Sequence, residues 1–545
     1  MARVNQVTIL IYYMLIEFYD ILYLCYIKGG IKKSMTVYLK DLYFGCADGD
    51  TESNKKDFLD LFYKGNNKYD EIVDEPLKFI IHGQKGTGKT ILGRYIEKTF
   101  NIKGIKCKIL NKDDIILTKM IEKNKELVDN EEIVPLFKWI VYYKMYQILD
   151  KEKSCHIVKF NIKALKNIIT YKKSLKELRD IFNKRYPCGN YEFQDYDTLV
   201  ESIDDIEAEL AVGIVSKAGG KSEKKYSENK KYIKKEFYKV LEQVEECIIN
   251  CLKVVNITLI LDDLDEMDIN FKAEDGSINV LNKLIDTFKN INIEFSKRDL
   301  KNSKCIILIR SDIIQELNKR SSNLNKILLD NSVELYWIEK ENTYPERQML
   351  MEMVLNKIKT TCSEYSNISN AELYRKLFPE LINGIPIINY MINYSFGRPR
   401  DIITFLEIVK KRYPNETHFK RYMFKECRQS YSKSFFYELQ NEMKVHLSSE
   451  TAEDYLNLIR NFGKNSFYFS ELKKYYRNHR KCYKNIKNLN ECMECLYRFG
   501  VVGNIRKINN NNICSWGYRK DGNPNINLDL KIVVHNGLRK SLNTN

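Results

Sequence analysis

Eight residues, Gly83-Gln84-Lys85-Gly86-Thr87-Gly88-Lys89-Thr90, constrain the fold of this chain more than any other stretch. They satisfy the pattern GxxxxGK(S/T), in which glycines let backbone N–H groups turn inward and cradle phosphate oxygens at the start of a helix. Such a loop works only where a strand enters it and a helix leaves it. Phe79-Ile80-Ile81 supplies the strand, and Ile91-Leu92-Gly93-Arg94-Tyr95-Ile96 has the apolar spacing of the helix. Gly83 through Ile91 is therefore the expected binding segment. Lys89 is expected to reach the β- and γ-phosphates of a nucleoside triphosphate, and the Thr90 hydroxyl to ligate Mg2+.

Hydrolysis needs a carboxylate at the end of another apolar strand. Ile257-Thr258-Leu259-Ile260-Leu261 is such a strand, and it ends in Asp262-Asp263. Asp262 is expected in the Mg2+ shell and Asp263 as the group that polarises the attacking water. The run continues Leu264-Asp265-Glu266; Glu266 is a reserve base, and Asp265 reads as a helix cap. A further strand, Cys305–Ile309, ends in Arg310-Ser311-Asp312, from which Arg310 or Ser311 can sense a γ-phosphate while Asp312 caps the next helix. Gly397-Arg398-Pro399-Arg400-Asp401 leads into another helix, with proline fixing its first turn. That start puts Arg400, and Arg398 as a second candidate, where an arginine points from a lid onto the phosphates. The alternative for both is an ion pair with surface acids.

Fourteen cysteines without a disulfide-like rhythm point to reduced thiols and a cytoplasmic location. The CxxC at Cys492–Cys495 falls in a helical apolar pattern and reads as core. Val7–Ile27 is long enough to span a bilayer, but Glu17 and Asp20 lie near its middle. Each costs roughly 2.5–3.5 kcal/mol there, against about 0.3–0.6 gained per Ile, Leu, Val or Phe. The sum is near zero, so residues 1–34 read as a disordered extension, or as upstream sequence ahead of a true start at Met35, and a membrane partner is not expected. The net charge is +16, of which +10 falls between Phe467 and Asn545. A tail this basic suggests a polyanion or an acidic protein partner.

Together these residues resemble the AAA+/STAND side of the P-loop NTPases and, more narrowly, a prokaryotic family of largely uncharacterised P-loop ATPases. The resemblance covers roughly Leu42 to Asn543. It rests on the lead-in Phe44-Gly45-Cys46-Ala47-Asp48, the Walker A loop KGTGKT, the Walker B strand LILDDLD, the strand end ILIRSDI, the GRPRD turn and the terminal Val534-His535-Asn536-Gly537-Leu538-Arg539-Lys540. It implies an α/β fold of the ASCE type with a parallel sheet, a helical lid and ATP as the nucleotide. It also implies lid-borne and strand-end sensor roles for Arg400 and Arg310. Relatives in this broad class act in antiphage defence. The 171 residues between Thr90 and Asp262 exceed a minimal core of this kind. The expected units are a P-loop domain over 35–340 with a helical insertion at about 113–250, a lid over 341–445 and a basic unit over 446–545.

The last unit reads as three short helices and a hairpin, the order of a winged helix. In DNA-binding versions the helix before the hairpin enters the major groove, yet here it carries Glu491 and Glu494. The basic residues lie earlier, in Lys473–Lys487, which suits non-specific DNA or RNA contact better than base reading, and the favoured reading of the winged helix is a protein-contact or regulatory element. No second catalytic constellation is present, so any effector activity is expected on a separate polypeptide. The leading expectation is an ATP-hydrolysing, homo-oligomerising switch that licenses a partner. A nucleic-acid-dependent motor or loader and a non-hydrolysing, nucleotide-stabilised scaffold are the alternatives.

Overall fold

The computed structural model describes residues 36–115, 133–152, 162–185, 239–264, 277–321, 323–339, 344–508, 511–520 and 522–544. Val7–Ile27, Asp265 and Glu266 lie outside them.

Five strands form one parallel sheet: β1 (Ile80–Gly83), β2 (Lys106–Leu110), β3 (Ile257–Leu261), β4 (Lys304–Arg310) and β5 (Ser332–Glu334). Their order is β2-β3-β4-β1-β5. Every residue of β3 and β4 is buried, which requires helices on both faces and explains their uninterrupted apolar sequence. The helices before and between these strands are α1 (Gly49–Ser53), α2 (Phe58–Leu61), α3 (Lys68–Asp74), α4 (Lys89–Ile102), α5 (Ile133–Lys151), α6 (Ile162–Arg179), α7 (residues 239–252), α8 (Ser277–Lys297), α9 (Ser311–Arg320) and α10 (Leu324–Asn331).

Strand alternation sorts the sheet residues between two layers. Ile81, Ile260, Ile306 and Leu308 pack against Leu92, Tyr95 and Ile96 of α4. Ile80, Leu259, Leu261, Ile307 and Ile309 face α5, α7 and α8. Within the helical insertion expected at about 113–250, α5 buries eleven residues, among them Trp139, Tyr142, Tyr143 and Tyr146. A helix apolar on all sides is a buried helix, and α5 is part of the sheet's own core.

The chain continues through α11 (Met349–Thr361), α12 (Asn370–Leu377), α13 (Ile387–Asn393), α14 (Pro399–Arg412) and α15 (Arg421–Lys444), with a two-residue hairpin of β6 (Leu381–Ile382) and β7 (Ile385–Pro386). Then come α16 (Ser449–Phe462), β8 (Ser466–Phe467), α17 (Phe469–His479), α18 (Leu489–Arg498), β9 (Val502–Ile508), β10 (Asn511–Ser515) and β11 (Lys531–Val534). The last four strands form an antiparallel sheet in the order β10-β9-β11-β8. The three helices and the hairpin were legible; β8 and β11 were not. One hydrophobic core runs from Leu39, Leu42 and Phe44 through α11–α15 to Leu538 and Leu542, and Cys492 of the CxxC lies within it. Among the described residues no helix is long and apolar enough to cross a membrane.

Candidate functional site

The glycine loop leaves β1 at the carboxyl edge of the sheet and enters α4 at Lys89. Gly86 and Gly88 have φ of +80° and +94°, values that side chains disfavour. Gly88 is the N-cap of α4 and no side chain caps that end, so its first N–H groups face the loop's concavity. Inside the loop, the Thr87 hydroxyl donates to the Gln84 carbonyl at 2.8 Å, and the buried Trp337 indole N–H donates to the Thr87 carbonyl at 2.9 Å. Lys89 Nζ donates to the carbonyls of Gly83 and Gln84, both at 3.2 Å, so its ammonium lies along the loop's entry. Thr90 and Ile91 pack beside Gly49, at the start of α1.

Arg400 lies across this loop. Its backbone N–H donates to the Gly86 carbonyl at 3.4 Å, and a Cβ on Gly86 would stand 3.1 Å from Arg400 Cβ. Its guanidinium bonds the Ala47 carbonyl at 3.0 Å and Glu438 at 2.7 Å, while Glu438 also holds Lys85 of the loop at 3.4 Å. Glu438 is kept below the usual carboxylate range: burial opposes this, but Lys85 and Arg400 outweigh it. The lead-in residues thereby acquire a purpose. Phe44 is buried near Phe419, Ala47 receives Arg400, and Asp48 caps α1 through the Thr51 N–H. Gly45, at φ +120°, has no room for a Cβ, which would approach Ile403 Cδ1 to 2.8 Å.

Arg398 does not face the loop in this way. It is fully buried, clamped by Asp401 at 2.9 Å and Glu442 at 2.5 Å. Asp401 in turn accepts the Phe396 N–H at 3.0 Å, so this network shapes the turn that presents Arg400.

At the end of β3, Asp262 is buried and its Oδ1 accepts the Asp263 N–H at 2.9 Å. Asp263 has φ +59°, a left-handed conformation that Asp tolerates better than most residues but still at a cost. Leu261 and Ile80 both register with Ile307 of β4, so Asp262-Asp263 and the glycine loop emerge from the same edge of the sheet, on strands about 10 Å apart laterally. Arg310 pairs in register with Gly83, but its side chain is turned into a bidentate pair with Asp312, at 2.9 and 2.6 Å. His446 binds the same carboxylate at 2.7 Å. Asp312 therefore does not cap α9, as its position suggested; it grips Arg310. Burial raises the Asp312 pKa, but His446 and Arg310 drive it well below the ordinary value. Ser311, the other strand-end candidate, meets His82 Nδ1 at 3.2 Å.

Residues 348–440 match the family model of the FunZ-associated C-terminal helical domain. The match takes in α11 to α14 and most of α15, and so contains Arg398, Arg400 and Glu438. No curated protein matches the chain.

Two groups of residues escaped the sequence reading. The matched segment adds Met353, Lys357, Pro399 and Ile403 to a small apolar recess beside Thr87, Gly88 and Ile91, with Phe62, Tyr63 and Trp337 on its other walls. A buried ion pair, Lys357 with Glu52, also borders it. The second group is the turn after β10. Gln84 of the glycine loop donates to the Tyr518 carbonyl at 3.4 Å, and Lys520 pairs with Glu334 at 2.6 Å. Tyr518 stacks near Phe396 of the helical domain and shares a 3.1 Å hydrogen bond with His535. Burial, with Arg519 and Arg539 nearby, holds the His535 pKa down to about 3, so this imidazole is neutral. Gly537, two residues on, is needed because a Cβ would sit 2.1 Å from the Tyr394 carbonyl. No local periodicity marks either group; both are assembled by residues hundreds of positions apart.

Proposed function

We propose that this chain is an ATP-binding and ATP-hydrolysing switch of the P-loop class, whose helical lid reports nucleotide state to a partner. The observation that carries this reading is Arg400 laid on the glycine loop and bonded to Gly86, because it couples the lid to the phosphate cradle directly. The order of the parallel sheet, with β4 intercalated between β1 and β3, is compatible with the ASCE fold that the sequence resemblance implies. The antiparallel sheet following α16–α18 supports the winged-helix reading of the tail.

In this mechanism the backbone N–H groups of Gly86 to Thr90 bind phosphate oxygens, and Lys89 exchanges its two carbonyl partners for them. Mg2+, where bound, would be held by Thr90 and Asp262 and would neutralise phosphate charge. Asp263 orients the attacking water and accepts its proton. The apolar recess beside Gly88 suits a nucleobase. Arg400 reads the phosphates and draws α14 with it. Arg310 reaches them only by leaving Asp312, which makes the Arg310–Asp312–His446 group a brake on turnover. By resemblance, the setting is antiphage defence with a separate effector and a homo-oligomeric active form.

The test is steady-state ATP turnover by the full chain with Mg2+, compared with Asp263→Asn. The variant should keep nucleotide affinity within about threefold while turnover falls about 100-fold or more, as expected when a general base is lost. ATP binding without turnover by the unaltered chain would instead favour the scaffold reading.

A second reading, nucleic-acid-dependent turnover, is favoured by one observation. Lys473, Lys474, Arg477, Arg480, Lys481, Lys484 and Lys487 are all exposed, and none makes an ion pair among the described residues. The helix that would enter a groove, α18, is instead tied inward, with Arg498 on Glu316 of α9 at 2.7 Å. Backbone contact through α17 is then the available mode. If four phosphates are neutralised, log affinity for a single strand falls with log salt at a slope of about −3. ATPase rates indifferent to every polynucleotide would retire this reading.

A further inference from the structure

The turn after β10 brings Arg519 to the glycine loop, and its chemistry there is unfinished. Gln84 and Thr87 of the loop, Ser311 and Gln315 at the exit of β4, and Gly517 to Lys520 line one cavity of about 200 Å³. It opens beside a larger cleft that also reaches Lys85 and Arg310. The charged groups of the inner cavity are Glu334, Lys520, Arg398 and Arg519. Glu334 is taken by Lys520, and Arg398 by Asp401 and Glu442. Arg519 has no carboxylate partner among the described residues; its Nε is buried with no hydrogen-bond partner, and the rest of the guanidinium meets only the Tyr518 side chain, 5.9 Å from that ring's centroid. A guanidinium so placed costs free energy until an anion meets it.

The turn is also held in place on both sides of Arg519. Gln84 binds the Tyr518 carbonyl, and the Lys520 N–H donates to the Tyr336 hydroxyl at 3.2 Å. The Tyr518 ring is fixed among Phe396, Trp516 and the neutral His535. Arg519 is thus carried on a braced turn, with a planar fork of donors suited to two oxygens of one phosphate.

We propose that Arg519 binds the terminal phosphate of a nucleoside triphosphate seated on the glycine loop, so that the C-terminal unit distinguishes tri- from diphosphate. This rests on the nucleotide-binding reading above and adds a sensor from a part of the chain not assigned to the site. The loop's first residues, Gln84 and Lys85, lie on the side where the cavity meets the cradle, and Lys89 serves the inner phosphates. A diphosphate leaves Arg519 unmet; a triphosphate supplies the missing acceptor.

The experiment measures dissociation constants of the full chain for Mg-ADP and for a non-hydrolysable Mg-ATP analogue. Arg519→Ala should weaken the ATP analogue about 10-fold or more, the usual size for a lost charge-assisted hydrogen bond, with ADP changed less than about twofold. Arg519→Gln, close in shape but uncharged, should lose nearly as much, and Arg519→Lys should recover part of the loss. The thermal midpoint of the unliganded chain should shift little for all three, because among the described residues Arg519 makes no ion pair and meets only the Tyr518 side chain. Equal losses for both nucleotides, or no loss for either, would overturn the sensor. If the unaltered chain bound neither nucleotide, the nucleotide reading itself would fall, and this inference with it.

Discussion

Replacing Lys89 with alanine should abolish ATP turnover while leaving the fold intact. Lys89 is the first residue of α4, and its Nζ rests 3.2 Å from two loop carbonyls, Gly83 and Gln84. Those bonds tie a half-exposed side chain to the loop's entry, and losing them removes on the order of 1 kcal/mol of local order. The larger effect is on charge. Phosphate oxygens carry most of the developing charge in phosphoryl transfer, and the lysine is one of few cations aimed at them. Removing one preorganised donor of this kind costs about 100- to 1000-fold in rate. Turnover of a clean preparation should therefore drop to background, and ATP affinity should fall as well. Unchanged turnover in Lys89→Ala would refute the assignment of this loop as the hydrolytic site.

Arg398→Ala should have the largest effect on stability. Arg398 is almost wholly inaccessible and neutralises two acids, Asp401 and Glu442, that are themselves mostly buried. Breaking a buried pair from one side strands the remaining charges, at about 3–5 kcal/mol. The guanidinium also lies 4.9 Å from the Phe396 ring centroid, so the aromatic packing loosens with it. Hydrogen exchange at the amides of α14 and α15 should accelerate first, because Asp401 would no longer fix the Phe396 turn. A denaturation midpoint indistinguishable from that of the unaltered chain would show that the network is idle. Arg400→Ala is the informative partner: only half-buried at the loop, it should lower the midpoint far less than Arg398→Ala.

The contrast between these two arginines shows what the sequence could and could not convey. Arg398 and Arg400 stand two residues apart, and the motif alone nominated both. Helix geometry at Pro399 sends one side chain into the core and the other onto Gly86, and no local pattern distinguishes them. Strands β3 and β4 were readable because burial on both faces demands unbroken apolar runs, and β1 because a short apolar run leads into the glycine loop. Strand β5, Ser332–Glu334, was not, because three residues of mixed character carry no period. The order of the sheet was equally hidden, since it depends on which strands pair, not on what each contains. At the site, the cradle and the Asp262-Asp263 pair were legible from spacing. The clamp of Lys85 and Arg400 by Glu438 was not, because those residues lie 353 and 38 positions from their partner. Arg519 escaped for another reason: in sequence it is one more basic residue in a basic tail, and only the turn's placement against Gln84 sets it apart.

The hydrophobic core that runs unbroken from α11 to Leu542 has a mechanical consequence. A lid and a tail that share one interior cannot hinge separately without exposing aromatic surface, with Phe396, Phe435, Tyr518 and His535 at the seam. They are expected to travel as one arm, pivoting where Arg400 and Tyr518 touch the glycine loop. Displacement grows with distance from a pivot, so under the proposed switch a small rotation at the glycine loop would be delivered, enlarged, to the cationic ridge of α17.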